Sequence, residues 1–325
     1  MYKTLLNTSS AEEQSFIDKI TAAVIEKQKK NHKKGKKAQR DVHTKSHGTF
    51  KATFTVRSTL PSQLKVGLFA KPGKYNALVR FSNGAFASDA FDALPNIRGI
   101  AIKLLGVSGG KMLPGEENST ELDFLMANDE TFFAPRIEDM FNLVTGNMKG
   151  IATDNPRVLG LMLKAMMKVV KNPLHTDYYS QVPYAFGPDR ACKFALLAGE
   201  KSPCYSVPNL LDRHYLRHGA VDVLKKREVT FTFAVQLQQS QPRLESLEDS
   251  SMLWTGDYLP VADLTFHMVD RMVEESEGEE LSFNPWRTLL ELQPLSWAGR
   301  VRRAVYAADF KWRTEENRKA GLLGK

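Results

Sequence analysis

Apolar residues recur with a helical period at the start of this chain of 325 residues. Ser10 and Glu13 have the spacing of a helix capping box. The apolar residues that follow share one face of a helix, namely Phe16, Ile17, Ile20 and Val24. The pattern predicts a docking helix that ends in a lysine-rich run around Gly35.

The period then changes to two, which is typical of half-buried strands. Strict alternation of apolar and polar residues begins at Phe50 and again at Val229. Shorter β-rich runs are bounded by Gly, Pro, Asn and Asp residues and indicate further strands. The predicted strands are 50–56, 77–82, 99–107, 121–128, 190–197, 229–237 and 261–268.

The helical period returns in the middle and at the end of the chain. Residues 137–144 have one apolar face, and 158–170 form a Met-rich apolar run that is too short to cross a bilayer. We expect this run to pack on the outside of a sheet core, with a lipid-facing surface as the alternative. A basic helix is predicted from about Ser296 to Arg313. This order of elements predicts one α+β domain around a closed or strongly curled antiparallel sheet, with an inserted helical segment.

Lysine residues separate the first helix from the first strand. Seven lysines lie within residues 27–37 and account for most of the formal net charge of +8. No aromatic residues are interleaved to stack on bases, so the run indicates a solvated connector rather than a nucleic-acid site. Attraction of anionic substrates is the function that fits it best. We divide the chain into a helix with a lysine-rich leader, 1–39, and one barrel domain, 40–325.

Composition narrows the class of protein further. With 42% hydrophobic residues the chain can bury a large core. It has no pattern of a signal peptide or a membrane span, which predicts a cytoplasmic protein. Cys192 and Cys204 are twelve residues apart and have no partners at zinc-site spacing, so we expect two reduced thiols.

Several polar residues that could take part in catalysis or binding interrupt the apolar patterns. Arg40 and His43 precede the first strand, and a hydroxyl such as that of Ser82 could fix the orientation of the His43 ring. The arginines that lead into the apolar strands could pair with buried carboxylates. Asn128 offers an amide donor close to the aromatic Phe133. Each of these residues alone is more often structural than functional.

Arg302 and Tyr306 lie four residues apart on the final predicted helix. This spacing places both side chains on one face, where the guanidinium favours phenolate over phenol. A phenolate can ligate ferric iron, as tyrosine does in catalase. Pairs of Arg and Tyr at this spacing are common on ordinary helices, so the pair alone is a weak signal.

Seven motifs together resemble the haem-dependent catalase superfamily, specifically its small, single-domain catalase-related peroxidase branch. They keep the order of that family and span about residues 40 to 310. The motifs are Arg40-x-x-His43 with residues 45–48, and residues 79–84, 97–103, 123–133, 187–194, 284–287 and Arg302-x-x-x-Tyr306.

The resemblance implies a catalase-type β-barrel with surrounding helices that holds a b-type haem. His43 is similar to the distal histidine that moves the peroxide proton between oxygens. Asn128 is similar to the amide that orients the bound peroxide, and Ser82 to the hydroxyl that holds the histidine. Phe133 matches the aromatic residue packed near the distal haem face.

The proximal side follows from the same resemblance. Tyr306 matches the phenolate that ligates the haem iron, and Arg302 matches the arginine that keeps it ionised. Arg40 and Arg80 match arginines that face the haem propionates. His47 is similar to a histidine of the small branch that supports the distal side, or is a purely structural residue.

The resemblance also implies an activity. Only 19 residues follow Tyr306, which predicts a more open haem pocket than that of large catalases. We therefore expect a peroxidase that reduces hydrogen peroxide and organic hydroperoxides through an oxo-ferryl state, using a small-molecule electron donor, with weak catalase activity and a homodimeric assembly. An allene oxide synthase is one alternative, which Val42 before the distal histidine argues against. A non-catalytic haem or lipid carrier is the other.

Overall fold

A computed structural model shows an α+β architecture built on one antiparallel barrel. The structure describes residues 9–33, 35–41, 43–84, 88–201, 208–239, 247–269 and 275–323. Cys204 and Val42 lie outside these ranges, so the expectations placed on them are not addressed by the structure. Cys192 is a buried free thiol, and burial raises its pKa.

The barrel consists of eight hydrogen-bonded antiparallel strands. Their order around the barrel is β1, β2, β3, β4, β5, β7, β8 and β9, and β5 closes the ring because it pairs with both β4 and β7. A ninth strand, β6, extends the sheet beside β7. The strands are β1 (Ser46–Val56), β2 (Gly73–Asn83), β3 (Arg98–Leu105), β4 (Glu121–Ala127), β5 (Tyr178–Tyr179), β6 (Tyr184–Ala185), β7 (Ala191–Ala198), β8 (Val229–Leu237) and β9 (Tyr258–Phe266).

Helices lie outside the barrel and in the segment between β4 and β5. The α-helices in the described ranges are α1 (Ala11–Asn31), α2 (Ile137–Thr145), α3 (Met148–Asp154), α4 (Arg157–Met166), α5 (Tyr215–Leu224), α6 (Glu275–Glu280) and α7 (Ser296–Lys319). Short 3₁₀ turns occupy Ser62–Leu64, Gly67–Ala70, Pro173–His175 and Leu290–Leu292. The predicted fold class and the helical insertion are confirmed.

Aromatic side chains fill the barrel interior. Phe124 and Phe233 have ring centroids 4.8 Å apart, and Phe194 lies 5.2 Å from Phe124. These rings come from β4, β7 and β8, so the alternation seen in the sequence directs one face of each strand into a shared apolar core. Burial of such rings supplies much of the free energy that holds the barrel together.

The first helix, α1, packs on the hydrophobic core of the protein, as predicted. The Ser10 hydroxyl accepts a hydrogen bond from the Glu13 N–H at 3.0 Å, and Ile17, Ile20 and Val24 join the main hydrophobic core. The helix ends at Asn31, within the lysine-rich run, as the sequence predicts. None of the helices in the described ranges has the length and apolar character needed to cross a membrane.

The Met-rich run forms α4 and the turn after it. Val158 and Ala165 are buried, while Leu163 is 60% and Met167 is 58% exposed. One face is therefore buried and the other carries exposed apolar side chains; packing of this run on the sheet stays a prediction.

Strand register places the candidate site at one end of the barrel. Ser82 on β2 pairs with Gly99 on β3, and Gly99 pairs with Ala127 at the end of β4. Asn128 follows Ala127 directly, so the two candidate polar residues flank Gly99 across three adjacent strands. His43 precedes β1, which pairs with the other side of β2.

Candidate active site

His43 has a backbone conformation that few residues adopt. Its φ angle is +58°, in the left-handed region, and its ring Nδ1 lies 3.0 Å from the Ser82 hydroxyl oxygen. The Ser82 hydroxyl also lies 3.5 Å from the carbonyl oxygen of Gly99. When that carbonyl accepts the hydroxyl proton, Nδ1–H donates to Ser82 and Nε2 carries the free lone pair.

The environment of His43 keeps its imidazole neutral. Burial lowers the pKa of His43 to about 3, and the positive charges of Arg80, Arg302 and Arg40 act in the same direction. The ring is therefore unprotonated at neutral pH, and its lone pair is available to accept a proton.

Gly99 provides the space in which the His43 ring sits. A Cβ added at Gly99 would lie 2.5 Å from both Nδ1 and Cε1 of that ring and 3.0 Å from the Ser82 oxygen. Gly99 is an interior residue of β3, where glycine is normally unfavourable. The close approach of the ring explains why this strand position has no side chain.

Asn128 presents an unused donor. Its backbone N–H donates to the Arg98 carbonyl at 3.0 Å, and its side-chain Oδ1 accepts from the Arg98 N–H at 2.8 Å. These two bonds fix the orientation of the amide. The residue is only 5% exposed, and its buried Nδ2 has no hydrogen-bond partner in the described chain. A buried donor in this state costs free energy until it meets an acceptor such as a ligand oxygen.

The aromatic pair after β4 connects this side of the site to α7. The ring centroids of Phe132 and Phe133 are 4.6 Å apart. The guanidinium carbon of Arg302 lies 5.3 Å from the centroid of Phe132, a cation–π contact. Phe132 therefore contacts α7 through Arg302, and the predicted site residue Phe133 contacts the ring of Phe132.

Tyr306 lies one helical turn beyond Arg302 on α7. Burial raises the pKa of Tyr306, and the charges of Arg302 and Arg40 oppose this rise. The arginine next to the phenol thus has the effect that the spacing predicts, but burial outweighs it. Without a bound cation, Tyr306 is a neutral phenol at physiological pH.

The same two arginines act on both sides of the candidate site. The charges of Arg40 and Arg302 lower the pKa of His43, and both also lower that of Tyr306. His43 and Tyr306, separated by more than 260 positions in the sequence, are therefore both within electrostatic reach of the same two arginines.

A small cavity lies beside Tyr306. It has a volume of about 40 Å³ and is lined by Arg40, Asp41, Tyr306 and Asp309, among others. This space holds a few water molecules at most. A large planar ligand would therefore require the side chains around Tyr306 to move apart.

Arg80 and Arg40 meet an internal carboxylate. Nε and Nη2 of Arg80 donate to Oε1 of Glu279 at 3.2 and 2.8 Å, and Nε of Arg40 lies 3.5 Å from Oε2. Burial alone would raise the pKa of Glu279, but Arg40 and Arg80 outweigh it and hold that pKa at about 2. Glu279 is therefore ionised and balances part of the buried positive charge.

Arg80 also holds the backbone around the histidine. Its Nη1 donates to the His43 carbonyl at 3.0 Å, and its Nη2 donates to the Thr44 carbonyl at 3.2 Å. Arg80 is only 2% exposed, so these bonds are formed in a low dielectric. Glu279 thus orients Arg80, and Arg80 stabilises the left-handed turn at His43.

A third arginine joins this cluster. Nη1 and Nη2 of Arg313 on α7 donate to the carbonyl oxygens of Glu279 and Leu281 at 2.5 and 2.7 Å. Nη2 of Arg40 donates to the same two carbonyls, each at 3.2 Å. The segment that carries Glu279 is therefore held from two sides, by Arg40 before β1 and by Arg313 on α7.

His47 lies in a separate buried network. Its Nε2 is 2.6 Å from Oδ1 of Asn83, and that oxygen also accepts from Nη1 of Arg98 at 2.6 Å. Lys45 and Asp92 form an ion pair of 2.6 Å in the same network. Since Arg98 also holds Asn128 through its backbone, the network supports the amide from behind. This placement agrees with a structural role for His47.

The donor set at the site suits a haem iron better than a bare metal ion. No group of three or more His, Cys, Asp or Glu side chains that could hold a metal ion occurs in the part of the chain that the structure describes. A porphyrin supplies four ligands itself and needs one protein ligand, for which Tyr306 is available. The positive charge of the arginines suits the anionic substituents of such a group.

Solved structures of catalases share this fold. A fungal catalase superposes with a TM-score of 0.69 at 14% sequence identity over 88% of this chain and 62% of its own. Catalase A from Saccharomyces cerevisiae gives a TM-score of 0.69 at 14% identity over 87% of this chain and 63% of its own. A bacterial catalase gives 0.66 at 12% identity over 99% of this chain and 65% of its own.

The chain therefore has the catalase-type α+β fold, and it spans less than two thirds of the length of these catalases. Neither a protein-family model nor a curated protein sequence matches it significantly. At identities this low the likeness extends to the fold alone. The chemistry of this chain must be argued from its own residues.

Sequence reasoning missed three residues that shape the site. Arg313 has a signal in the sequence, because it lies seven residues, about two helical turns, after Tyr306 on the same face, whereas Gly99 stands at the start of the predicted strand and has none. Glu279 has none, since it is one of several glutamates in a short acidic segment.

Proposed function

We propose that this protein is a haem-dependent peroxidase that reduces hydrogen peroxide and organic hydroperoxides to water and alcohols. The observation that carries the proposal is that a neutral His43 packs against Gly99 and that Asn128, with its unpartnered, buried amide donor, follows the strand neighbour of Gly99 at one end of a catalase-type barrel. An O–O bond breaks heterolytically when a base takes the proton from one oxygen and returns it to the leaving oxygen. These two side chains can do this together.

Each residue has a separate task in the proposed reaction. Nε2 of His43 would take the peroxide proton and then return it to the departing oxygen, while Ser82 and Gly99 hold the ring in place. Nδ2 of Asn128 would donate to a peroxide oxygen and so orient it. Phe133 would limit water on this side of the site.

The opposite side would hold the cofactor. Tyr306 would ligate the iron of a b-type haem, and the charges of Arg302 and Arg40 would favour its ionised form. Arg40 could meet an anionic haem substituent, because it lines the cavity beside Tyr306 and its Nε has no hydrogen-bond partner in the described chain, whereas Arg80 is engaged with Glu279 and the His43 turn. The haem, when bound, would supply the iron through which electrons pass from a donor to the peroxide.

The first experiment is spectroscopic. Full-length protein expressed with added haem should show a ferric Soret band, and Tyr306→Phe should abolish or shift it while leaving the fold intact by circular dichroism. Tyr258→Phe, a conservative change on β9, is the matched control. A normal spectrum and normal haem content in Tyr306→Phe would refute the assignment of the iron ligand.

The second experiment measures the reaction. Rapid mixing with hydrogen peroxide or cumene hydroperoxide should show donor oxidation that falls about 10²–10⁴-fold in His43→Gln, the range for loss of a general acid–base catalyst. Evolution of oxygen without a donor would indicate catalase activity instead. Epoxide-derived ketols from a fatty-acid hydroperoxide without a donor would favour an allene oxide synthase. Unchanged turnover in His43→Gln would favour the carrier.

A further inference from the structure

The lysine-rich leader lines a cavity at the surface. The cavity has a volume of about 460 Å³, within the range of small-molecule sites. We call it the basic vestibule and define it by Lys33, Lys36, Lys37, Arg40 and Trp312, which line it together with residues of the end of α1 and of 88–89.

The frame of the basic vestibule is held firmly in place. The Ala38 N–H donates to Oδ1 of Asn317 at 2.6 Å, and Nδ2 of Asn317 donates back to the Ala38 carbonyl at 3.1 Å. Nε2 of Gln28 donates to the Gln39 carbonyl at 2.8 Å and to Asp309 at 2.7 Å. The lysine segment is thereby fastened to both α1 and α7, and it is more than a solvated connector.

The lining residues specify the charge of a ligand. Lys33 and Lys36 are exposed and have no ion-pair partner among the described residues, whereas Lys37 pairs with Glu280 at 2.8 Å. Asp41 and Asp89 line the same cavity and would repel a multiply charged anion. The balance favours a ligand with a single negative charge.

Two further groups specify its other parts. The Trp312 ring meets the His32 ring edge to face, with centroids 5.7 Å apart, and it offers an aromatic surface. Oε1 of Gln28 is buried without a hydrogen-bond partner, in a residue that is 4% exposed and lines the cavity. An unused buried acceptor suits a hydroxyl donor on the ligand.

The basic vestibule also adjoins the candidate active site. Arg40 and Asp41 line both the vestibule and the small cavity beside Tyr306. A molecule in the vestibule would therefore lie one layer of side chains away from the phenol.

We propose that the basic vestibule binds a phenolic monocarboxylate, which serves as the electron donor of the peroxidase. This inference rests on the proposed function for its role as donor, but the binding itself does not require haem. Two phenols would each lose one electron and one proton, and the hydroperoxide would gain both pairs to give one alcohol and one water. The lysines would bind the carboxylate, Trp312 would pack on the ring, and Gln28 would accept from the hydroxyl.

Binding is tested on the full-length protein as purified, by calorimetric titration with 4-hydroxybenzoate and its neutral analogue 4-hydroxybenzamide. We expect the acid to bind at least tenfold more tightly than the amide. A double variant, Lys33→Ser with Lys36→Ser, should weaken binding of the acid about tenfold, the combined effect of two partly exposed ion pairs. Raised salt should weaken it as well.

The matched control is Lys225→Ser with Lys226→Ser, which removes two exposed lysines at the end of α5 and should leave binding unchanged. Trp312→Leu should weaken the acid and the amide alike. Equal affinity for the acid and the amide, or equal affinity of the two lysine double variants, would overturn the proposal. Binding of the acid with these dependences in a protein that takes up no haem would keep the site and reject the peroxidase function instead.

Discussion

Because Gly99 contacts the His43 ring, we predict that Gly99→Ala lowers the rate of reaction with peroxide but costs little stability. In Gly99→Ala, the new methyl group would lie 2.5 Å from two atoms of the His43 ring, whereas ordinary contact begins at 3.4 Å. The ring must retreat by roughly 1 Å to relieve this overlap. Since the methyl would also lie 3.0 Å from the Ser82 oxygen, it crowds both partners of their hydrogen bond.

The cost to folding is expected to be small. Overpacking costs about 1–3 kcal/mol, but a half-buried ring at the end of a side chain can move, and the alanine restricts the unfolded chain by about 0.4–1 kcal/mol. We therefore expect a net loss of about 0–2 kcal/mol in the free energy of unfolding. Displacement of a catalytic group by about 1 Å can reduce a rate about 100-fold. The second-order rate with hydrogen peroxide should fall by that factor.

Gly84→Ala is the matched control, because its added Cβ would meet its nearest atoms, in Asn96 and Ile97, at 3.4 Å. Urea unfolding measures stability, and rapid mixing of the haem-loaded protein with peroxide measures the rate. Nuclear magnetic resonance of the His43 ring in haem-free protein reports its displacement independently of activity. If Gly99→Ala and Gly84→Ala react at the same rate and the His43 resonances stay in place, the reasoning is wrong.

Two other changes test the buried charges. Glu279→Gln weakens the bonds from Arg80 and leaves buried guanidinium charge uncompensated, so it should reduce the free energy of unfolding by about 3 kcal/mol in urea. Asp263→Asn, which removes the half-exposed bidentate partner of Arg57, should cost less than about 1 kcal/mol, and equal losses would contradict the argument. Burial raises the pKa of Asp41 to about 6, so the folded state holds this proton more tightly than the unfolded chain, and stability should decline as the pH rises from about 4 to about 6. Asp41→Asn should flatten this part of the stability profile, and an unchanged slope would show that other groups cause it.

Much of the barrel could be predicted from the sequence because its long strands have clear alternation. Residues 229–237 were predicted as a strand and form β8 with the same bounds. The two residues of β5, Tyr178–Tyr179, close the barrel but are too few to show any period. Pro260 lies inside β9 rather than before it, because the register shifts between Phe233 and Ala234 at this point.

The candidate site was accessible to sequence reasoning only in part. Resemblance to a family supplied His43, Ser82 and Asn128, and strand register brings them together around Gly99. It could not show that Arg80 would be engaged by Glu279, since that contact joins a strand to a segment 199 positions away and depends on the tertiary fold. The catalytic roles of His43, Ser82 and Asn128 remain predictions.

The position of Arg80 changes how the arginines of this site should be understood. An arginine that only bound an anionic cofactor group would have unused donors facing that group. Arg80 instead donates to Glu279 and to the carbonyl oxygens of His43 and Thr44. Because the left-handed turn at His43 is unfavourable by itself, these bonds contribute to holding the histidine against Gly99. Arg80 therefore couples the charge of Glu279 to the position of the His43 ring. A change at Glu279 should displace the ring, and a change in the turn at His43 should alter the bonds between Arg80 and Glu279.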